Sequence, residues 1–446
     1  ALWAMRHAAY HAIVAHRPGT KALVTDICVP ISNLARALEE TRSHLDAQGI
    51  EGPILGHVGD GNFHAILQFD PEDAADKARV PLSVLDLVPI SSGATSAEAV
   101  RNSVDLARRA EEFGYARYWF AEHHLNPGVA GVSPAVTIAL AAAATSSIRL
   151  GAAAVQMGHR TALSTLEEFG LLDAAFPGRI DLGLGRSGGA PPADRPPVRE
   201  DTEVLPGGLV LPPPFSFAAL AKSPRFAVQR ALLTQPEAVP QPYAEQVADL
   251  LALHAGTYRH PNGESVRAGA GEGSDLQLWI HGSSAGESAR LAGARGLRFG
   301  SNYHVAPASV LEAVAAYREA FRPSQHLAHP YVIVSADVVV AEDADTAREL
   351  ARGYAPWVRS IRTGAGAIAY PTPDEAAHLP WSEADDALVA DRVDTRFVGT
   401  AGEVADRLAA LRDATDADEL LVTTITHDHD DRVRSFQLLA KEWSQR

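Results

Sequence analysis

Cysteine is almost absent from this sequence. A single residue, Cys28, stands in a chain of 446. That excludes internal disulfides and fits a reducing compartment, so a cytoplasmic location is expected. Long apolar runs are missing too, and none reaches the roughly 18–20 residues of a membrane span. The most apolar stretch, Ala135 to Ala144, is short and alanine-rich and reads as a buried helix. No basic-then-apolar leader opens the chain, which starts on Ala1 rather than Met and so fits a fragment at its N-terminus. Basic charge is in deficit: 39 Lys and Arg face 55 Asp and Glu, a net charge of −16. Binding nucleic acid requires a basic surface for the phosphates, so no such partner is expected.

Hydrophobic residues make up 46% of the chain, ample for a sizeable core. The length suggests two or three domains, although an α/β barrel uses about 250 residues or more in one. Up to about residue 80 the order is strand, helix, strand, strand. Ala22 to Val29 is an apolar, β-favouring run. Ser32 to Gln48 has helical spacing, with Ser32 as N-cap and Gly49 as stop. Pro53 to Val58 and Phe63 to Phe69 flank a Gly59-Asp60-Gly61 turn. This suits part of an α+β ferredoxin-like sheet, and polar Asp70 to Arg79 reads as a linker.

Beyond it, strands and helices alternate. Strands are expected at Leu82–Ile90, Tyr115–Ala121, Ile148–Gln156, Arg179–Leu184, Leu276–His281, Leu297–Phe299, Val332–Val340 and Leu420–Thr426. Helical patterns lie between most of them, among them Ala97–Phe113, Leu163–Ala175, Ser288–Arg295 and Glu403–Arg412. This alternation predicts a (β/α)8 TIM barrel, and a doubly wound open sheet fits the same pattern. Ala190 to Pro214 holds eight prolines and no clear period. It reads as a linker or, from its place after the fourth strand, as a loop over the barrel mouth.

Several short motifs carry chemistry. His123 and His124 follow a strand beside Glu122. An imidazole moves protons near neutral pH, and a carboxylate fixes its tautomer; an ordinary pair of loop histidines has the same spacing. Arg186 follows Gly183-Leu-Gly185 at a strand end, where small residues let a flat ring approach and a guanidinium meets phosphate or a polarised oxygen. A surface ion pair would also account for it. Gly282-Ser283-Ser284, then Ser288, lies between a strand and a helix start, where free amides and hydroxyls attract anions; a plain serine N-cap is the alternative. Gly151-Ala-Ala-Ala154 ends a strand without bulk. Gly183-Leu-Gly-Arg-Ser-Gly188 has the spacing of a dinucleotide fingerprint but is better explained as the fourth barrel loop, so no bound nicotinamide domain is expected. In the first piece, His57 and His64 flank the Gly-Asp-Gly turn on neighbouring strands, placed to share a divalent metal or to serve structure alone.

Residues 82–446 resemble the bacterial-luciferase-like flavin monooxygenases. The resemblance rests on Leu82-Ser-Val-Leu-Asp-Leu-Val-Pro-Ile90, Tyr115-Ala-Arg-Tyr-Trp-Phe-Ala-Glu-His-His124, Arg179-Ile-Asp-Leu-Gly-Leu-Gly-Arg-Ser-Gly-Gly189, Ile280-His-Gly-Ser-Ser-Ala-Gly-Glu-Ser288, and Phe397-Val-Gly-Thr-Ala-Gly-Glu-Val-Ala405 followed by Glu419-Leu-Leu-Val-Thr-Thr424. It implies that His123 is the active-site histidine, with His124 and Glu122 beside it. It implies that Arg186 contacts flavin, that Ser283, Ser284 and Ser288 hold the FMN phosphate, and that Ala153-Ala154 form a cis peptide behind the ring. The implied reaction activates O2 at the C4a position of reduced FMN and inserts one oxygen of the peroxide into a small organic substrate. Reduced flavin would come from a separate flavin reductase, and the chain would form a homodimer. Two other readings share the barrel: a deazaflavin-dependent hydride transferase and a flavin binder without chemistry.

The first piece, residues 1–80, resembles the C-terminal part of FAD-linked D-lactate and D-2-hydroxy-acid dehydrogenases through His57-Val-Gly-Asp-Gly-Asn-Phe-His64. That resemblance implies metal ligation by His57 and His64, assisted by Asn62. The family's downstream Glu-His-Gly motif and its preceding FAD domain are both missing from the sequence. The piece therefore reads as a truncated remnant or a fusion artefact.

Overall fold

The computed structural model describes residues 21–28, 31–47, 52–57, 62–69, 80–186, 200–216, 223–239 and 241–446. The chain divides into two compact units, Ala1–Val80 with Arg446, and Pro81–Gln445.

In the first unit, β1 (Lys21–Cys28), α1 (Leu34–Ala47), β2 (Ile54–His57) and β3 (Asn62–Phe69) follow the expected order. The sheet is antiparallel, β1-β3-β2, and its register pairs Asp26 with His64, Leu55 with His64, and His57 with Asn62. Phe63, Ala65 and Ile66 on β3 and Leu34 and Leu45 on α1 are buried. The helix is entered through a 3-10 turn, Ile31–Asn33. Ser32 therefore lies within that turn, ahead of the helix. The turn expected at Gly59-Asp60-Gly61, the stop at Gly49 and the side chains of His57 and His64 lie outside the described residues.

In the second unit, β4 (Leu82–Asp86), α2 (Ser96–Glu112), β5 (Arg117–Phe120), α3 (Pro134–Ala144), β6 (Arg149–Ala152), β7 (Val155–Gln156), α4 (Ala162–Ala175) and β8 (Ile180–Gly185) make the first half of the barrel. An excursion follows, with β9 (Glu203–Val204), β10 (Val210–Leu211), α5 (Pro224–Leu233) and α6 (Tyr243–His254). The second half holds β11 (Gln277–Gly282), α7 (Glu287–Ala294), β12 (Arg298–Asn302), α8 (Val310–Ala320) and β13 (Val332–Ala341). After it come α9 (Ala344–Leu350), α10 (Tyr354–Arg362), α11 (Pro373–His378), α12 (Glu383–Val393), β14 (Phe397–Thr400), α13 (Ala401–Thr415), β15 (Glu419–Thr423) and α14 (His429–Trp443).

The eight strands β4, β5, β6, β8, β11, β12, β13 and β15 pair in parallel, and the β8–β11 pairing closes the ring. This is the (β/α)8 TIM barrel, and closure excludes the open sheet. Strand interiors are rich in Val, Ile and Leu because both faces are covered, one by helices and one by the barrel's own filling. All ten residues of β13 are buried. Helix starts are chemically marked: Thr95 and Glu98 form a capping box before α2, as do Thr400 and Glu403 before α13. β14, which pairs with the far end of β13, was not expected as a strand.

Two expectations need correction. Leu82–Ile90 is not one strand, because β4 ends at Asp86, where Val88 N–H turns back to the Asp86 carboxylate at 2.7 Å. The Ala135–Ala144 stretch is a helix but is not buried all round, since Val136 and Leu140 are 60% and 46% exposed.

The described part of the proline-rich stretch, which follows β8, carries short strands of its own. β9 and β10 form a small antiparallel pair, Leu209 and Leu211 join the barrel's apolar core, and the Val210 carbonyl accepts from Tyr303 Oη at 2.7 Å.

The strand starts carry a buried ionic cluster. Arg117 on β5 donates from Nε to both Glu419 oxygens at 3.0 and 3.1 Å, and from Nη1 to Asp181 at 2.8 Å and Gln277 at 2.8 Å. Arg149 and Trp119 also donate to Asp181, and Tyr331 and Ser83 to Glu419. Arg298 and Trp279 each leave one N–H unmet there. Among the described residues no helix is long and apolar enough to cross a membrane.

Candidate active site

Two adjoining cavities open at the C-terminal ends of the barrel strands, of about 590 Å³ and 300 Å³. That is the face where a parallel barrel presents its loops. The shared wall includes His123, Ala153, Gln156, Asn302 and His304.

His123 and His124 leave β5 in opposite roles. Glu122 is buried, and its Oε1 accepts from His124 Nε2 at 2.9 Å and from His159 Nε2 at 3.1 Å. Arg160 Nη2 approaches the same oxygen at 3.4 Å, and Oε2 accepts the Gln156 backbone N–H at 2.9 Å. Burial alone would raise this carboxyl. The hydrogen bonds from His159 and Gln156 and the charge of Arg160 outweigh it and hold the group at about 2. Glu122 is thus a fixed carboxylate that positions His124 and His159. It does not orient His123.

His123 instead has a buried Nδ1 with no partner. Desolvation, then the neighbouring His124, pushes its pKa down to about 4, so the ring is uncharged at neutral pH. His281 and His304, which sequence reasoning did not single out, are alike. Burial takes His281 to about 4, and burial, then the charge of Arg392 and the proximity of His123, takes His304 to about 3. His304 Nδ1 shares a 2.6 Å hydrogen bond with Ser335 Oγ. His281 pairs in register with Gly185 on β8 and Gly300 on β12, and a Cβ at Gly300 or at nearby Gly183 would collide with the imidazole.

The Ala153–Ala154 peptide bond is cis, and both residues line the smaller cavity. A Cβ on Gly185 would meet Ala154 Cβ at 3.0 Å, so small residues keep this wall flat. Arg186 sits at the rim, 3.4 Å from Glu287, and lines the same cavity. Ser283 lines it as well. Ser284 and Ser288 do not, and α7 is capped at Gly286, with Ser288 in its first turn. The orphaned polar atoms of His123, His281, Ser301 and Asn302 border the smaller cavity. Unmet buried groups beside a flat, glycine-lined wall fit a planar ligand with polar edges, and a flavin has that form. The barrel and its site define a cofactor-using (β/α)8 enzyme.

Comparison with known proteins makes this particular. Residues 80–203 and 241–418 match the family described as luciferase-like monooxygenase. The chain is 36% identical over 368 residues to the protein YvbT of Bacillus subtilis (strain 168), covering 82% of this chain and 97% of that one. It is 33% identical over 360 residues to a luciferase-like monooxygenase of Escherichia coli (strain K12), covering 80% and 96%. The structure of apo-MsnO8 superposes with a TM-score of 0.66 at 28% identity, over 82% of this chain and 98% of that one. The chain belongs to the luciferase-like monooxygenase family, a family of flavin-dependent oxidoreductases. Residues 1–98 separately match the C-terminal domain of FAD linked oxidases. Over 79 residues the chain is 52% identical to a probable mitochondrial D-lactate dehydrogenase of Danio rerio, 16% of that protein's length.

Proposed function

We propose that this chain is the oxygenating component of a two-component system. It takes FMN already reduced by a separate reductase and oxygenates a small organic substrate. The observation that carries this is the pair of adjoining cavities with an uncharged His123 on their common wall. The flavin ring would lie against Ala153-Ala154 and Gly185, with its phosphate toward Ser283 and Arg186. Substrate would fill the larger cavity. Bound reduced FMN supplies activation of O2. The chain's part is to exclude water, to aim the substrate, and to offer His123 as a neutral donor or acceptor. His124, held by Glu122 with His159, fixes the loop that carries His123. Residues 82–446 perform this work; residues 1–80 form a separate unit whose metal ligands, by resemblance, are His57 and His64.

A homodimer belongs to the same reading. Val132, Val136 and Leu140 form an exposed stripe at i, i+4 spacing on and before α3, and Leu163 and Leu171 are exposed on the adjacent α4. Such a stripe suits burial against a second copy.

The test is anaerobic titration of the purified chain with reduced FMN, followed by O2. Saturable FMN binding with O2-dependent substrate oxygenation is expected. Absence of FMN binding together with tight binding of a deazaflavin would overturn the proposal in favour of hydride transfer.

A further inference from the structure

The larger cavity has a charge pattern unlike the rest of the chain. Its acidic lining residue is Asp337, which already accepts from Arg396 Nε at 2.5 Å. Four arginines line it: Arg225, Arg230, Arg362 and Arg392. Arg362 is committed to Asp391, with Nη2 to Oδ2 at 2.7 Å. Arg392, on α12, is not committed to any acid. It is 9% exposed, its Nη2 donates to Tyr354 Oη at 2.8 Å, and its buried Nε has no partner. Among the described residues no carboxylate lies within ion-pair distance of it. Arg225, on α5, spends its donors on the Leu125 carbonyl and on Asn126 Oδ1 at 3.1 Å, again with no acid among the described residues.

A guanidinium shut away from water without a counter-charge is costly, and its fork matches a carboxylate or sulfonate. Two of the histidines that line the cavity add no charge. His123 and His304 are uncharged at neutral pH, and the field of Arg392 is one cause of the His304 depression. Leu85, Val129, Trp357, Ile361 and Ile425 give the cavity an apolar wall, beside neutral polar Gln156, Gln229, Asn302 and Thr423.

We infer that the larger cavity is built for an organic acid, an apolar body with one anionic head held by Arg392 and Arg225. This rests on the flavin reading, which leaves the smaller cavity to the cofactor. The head group is a carboxylate or a sulfonate, and the apolar body lies along the aliphatic and aromatic wall.

Calorimetry on the full FMN-loaded chain tests this with four probes of one chain length: octanoate, octane-1-sulfonate, 1-octanol and octylamine. Octanoate or octane-1-sulfonate should bind at least about tenfold more tightly than 1-octanol, with octylamine weakest. The tighter of the two acids identifies the head group. Arg392→Gln should erase the preference for the acid and leave FMN affinity, read by flavin fluorescence, unchanged. Arg225→Gln, on a helix with no buried residue, should weaken the preference and serves if the first variant does not fold. Equal binding of octanoate and 1-octanol to the unaltered chain would overturn the inference. So would an Arg392→Gln variant that loses FMN affinity but keeps the preference, which would put the flavin phosphate on Arg392. The same titrations without FMN separate the two readings. Selective octanoate binding by a chain that does not bind FMN would sink the flavin reading and keep the acid site.

Discussion

At the N-terminal ends of the barrel strands, Arg117, Asp181 and Glu419 are buried, charged and mutually bonded, with Arg149, Tyr331 and Trp119 completing the set. At the C-terminal ends, His123, His281 and Asn302 are polar, uncharged and each short of a partner. The same eight strands carry both arrangements. One end spends most of its polar groups on each other, with only Arg298 Nε and Trp279 Nε1 left over among the cluster's members named above, and so fixes the barrel. The other leaves them unspent, which stores capacity for a ligand at some cost to stability.

Four substitutions or conditions would break or sharpen that contrast. The largest effect should come from Arg117→Ala, which strands Glu419 and Asp181 in the interior. Urea unfolding should show a loss of about 3–5 kcal/mol, and a loss under about 1 kcal/mol would mean the cluster is not a foundation. His123→Ala should do the reverse. Stability changes little, FMN affinity holds, and turnover falls about 100-fold or more. An unchanged oxygenation rate would remove His123 from the chemistry.

Acid should act on the upper end first. His123 and His281 ordinarily titrate near 6.5 and are held at about 4 in the folded chain. Between those values the unfolded chain binds protons that the folded chain refuses, so stability falls as pH drops from about 6.5 to about 4. Glu122, ordinarily 4.5 and held at about 2, extends the fall to lower pH. His123→Ala should flatten the first part of the curve in pH-dependent unfolding; an identical slope would contradict the histidine's depressed value. The smallest effect should be Arg186→Ala. Its rim pair with Glu287 is solvent-screened, so stability should shift by less than about 1 kcal/mol, while fluorescence titration should show weaker FMN binding.

Much of the fold was legible because a buried parallel strand is written as a short apolar run between helical periods. All eight barrel strands fell where those runs lie, with ends misplaced where a loop continues the apolar pattern, as after Asp86. The site was legible only where residues cluster in sequence. Glu122, His123 and His124 are adjacent in sequence and lie at the cavities, but their pairing was not legible: Glu122 serves His124 and a distant His159, which periodicity does not connect. His304 and Asn302 carried a usable signal, polar groups at the end of an expected strand, where a barrel puts its chemistry. Arg392 carried none. It lies in a helix between β13 and β14, and only the folded chain brings it to the cavity.

One wall of the larger cavity comes from α5, through Arg225, Phe226, Gln229, Arg230 and Leu233. No residue of that helix is buried, and the family match passes from 203 to 241 around it. The helix behaves as a removable panel. It stands apart from the ionic foundation, and Arg225 ties it to the loop after His124 through the Leu125 carbonyl and Asn126 Oδ1. Selectivity for the occupant of the larger cavity is thus set in part by a helix outside the family match, while the histidines beneath it lie within that match.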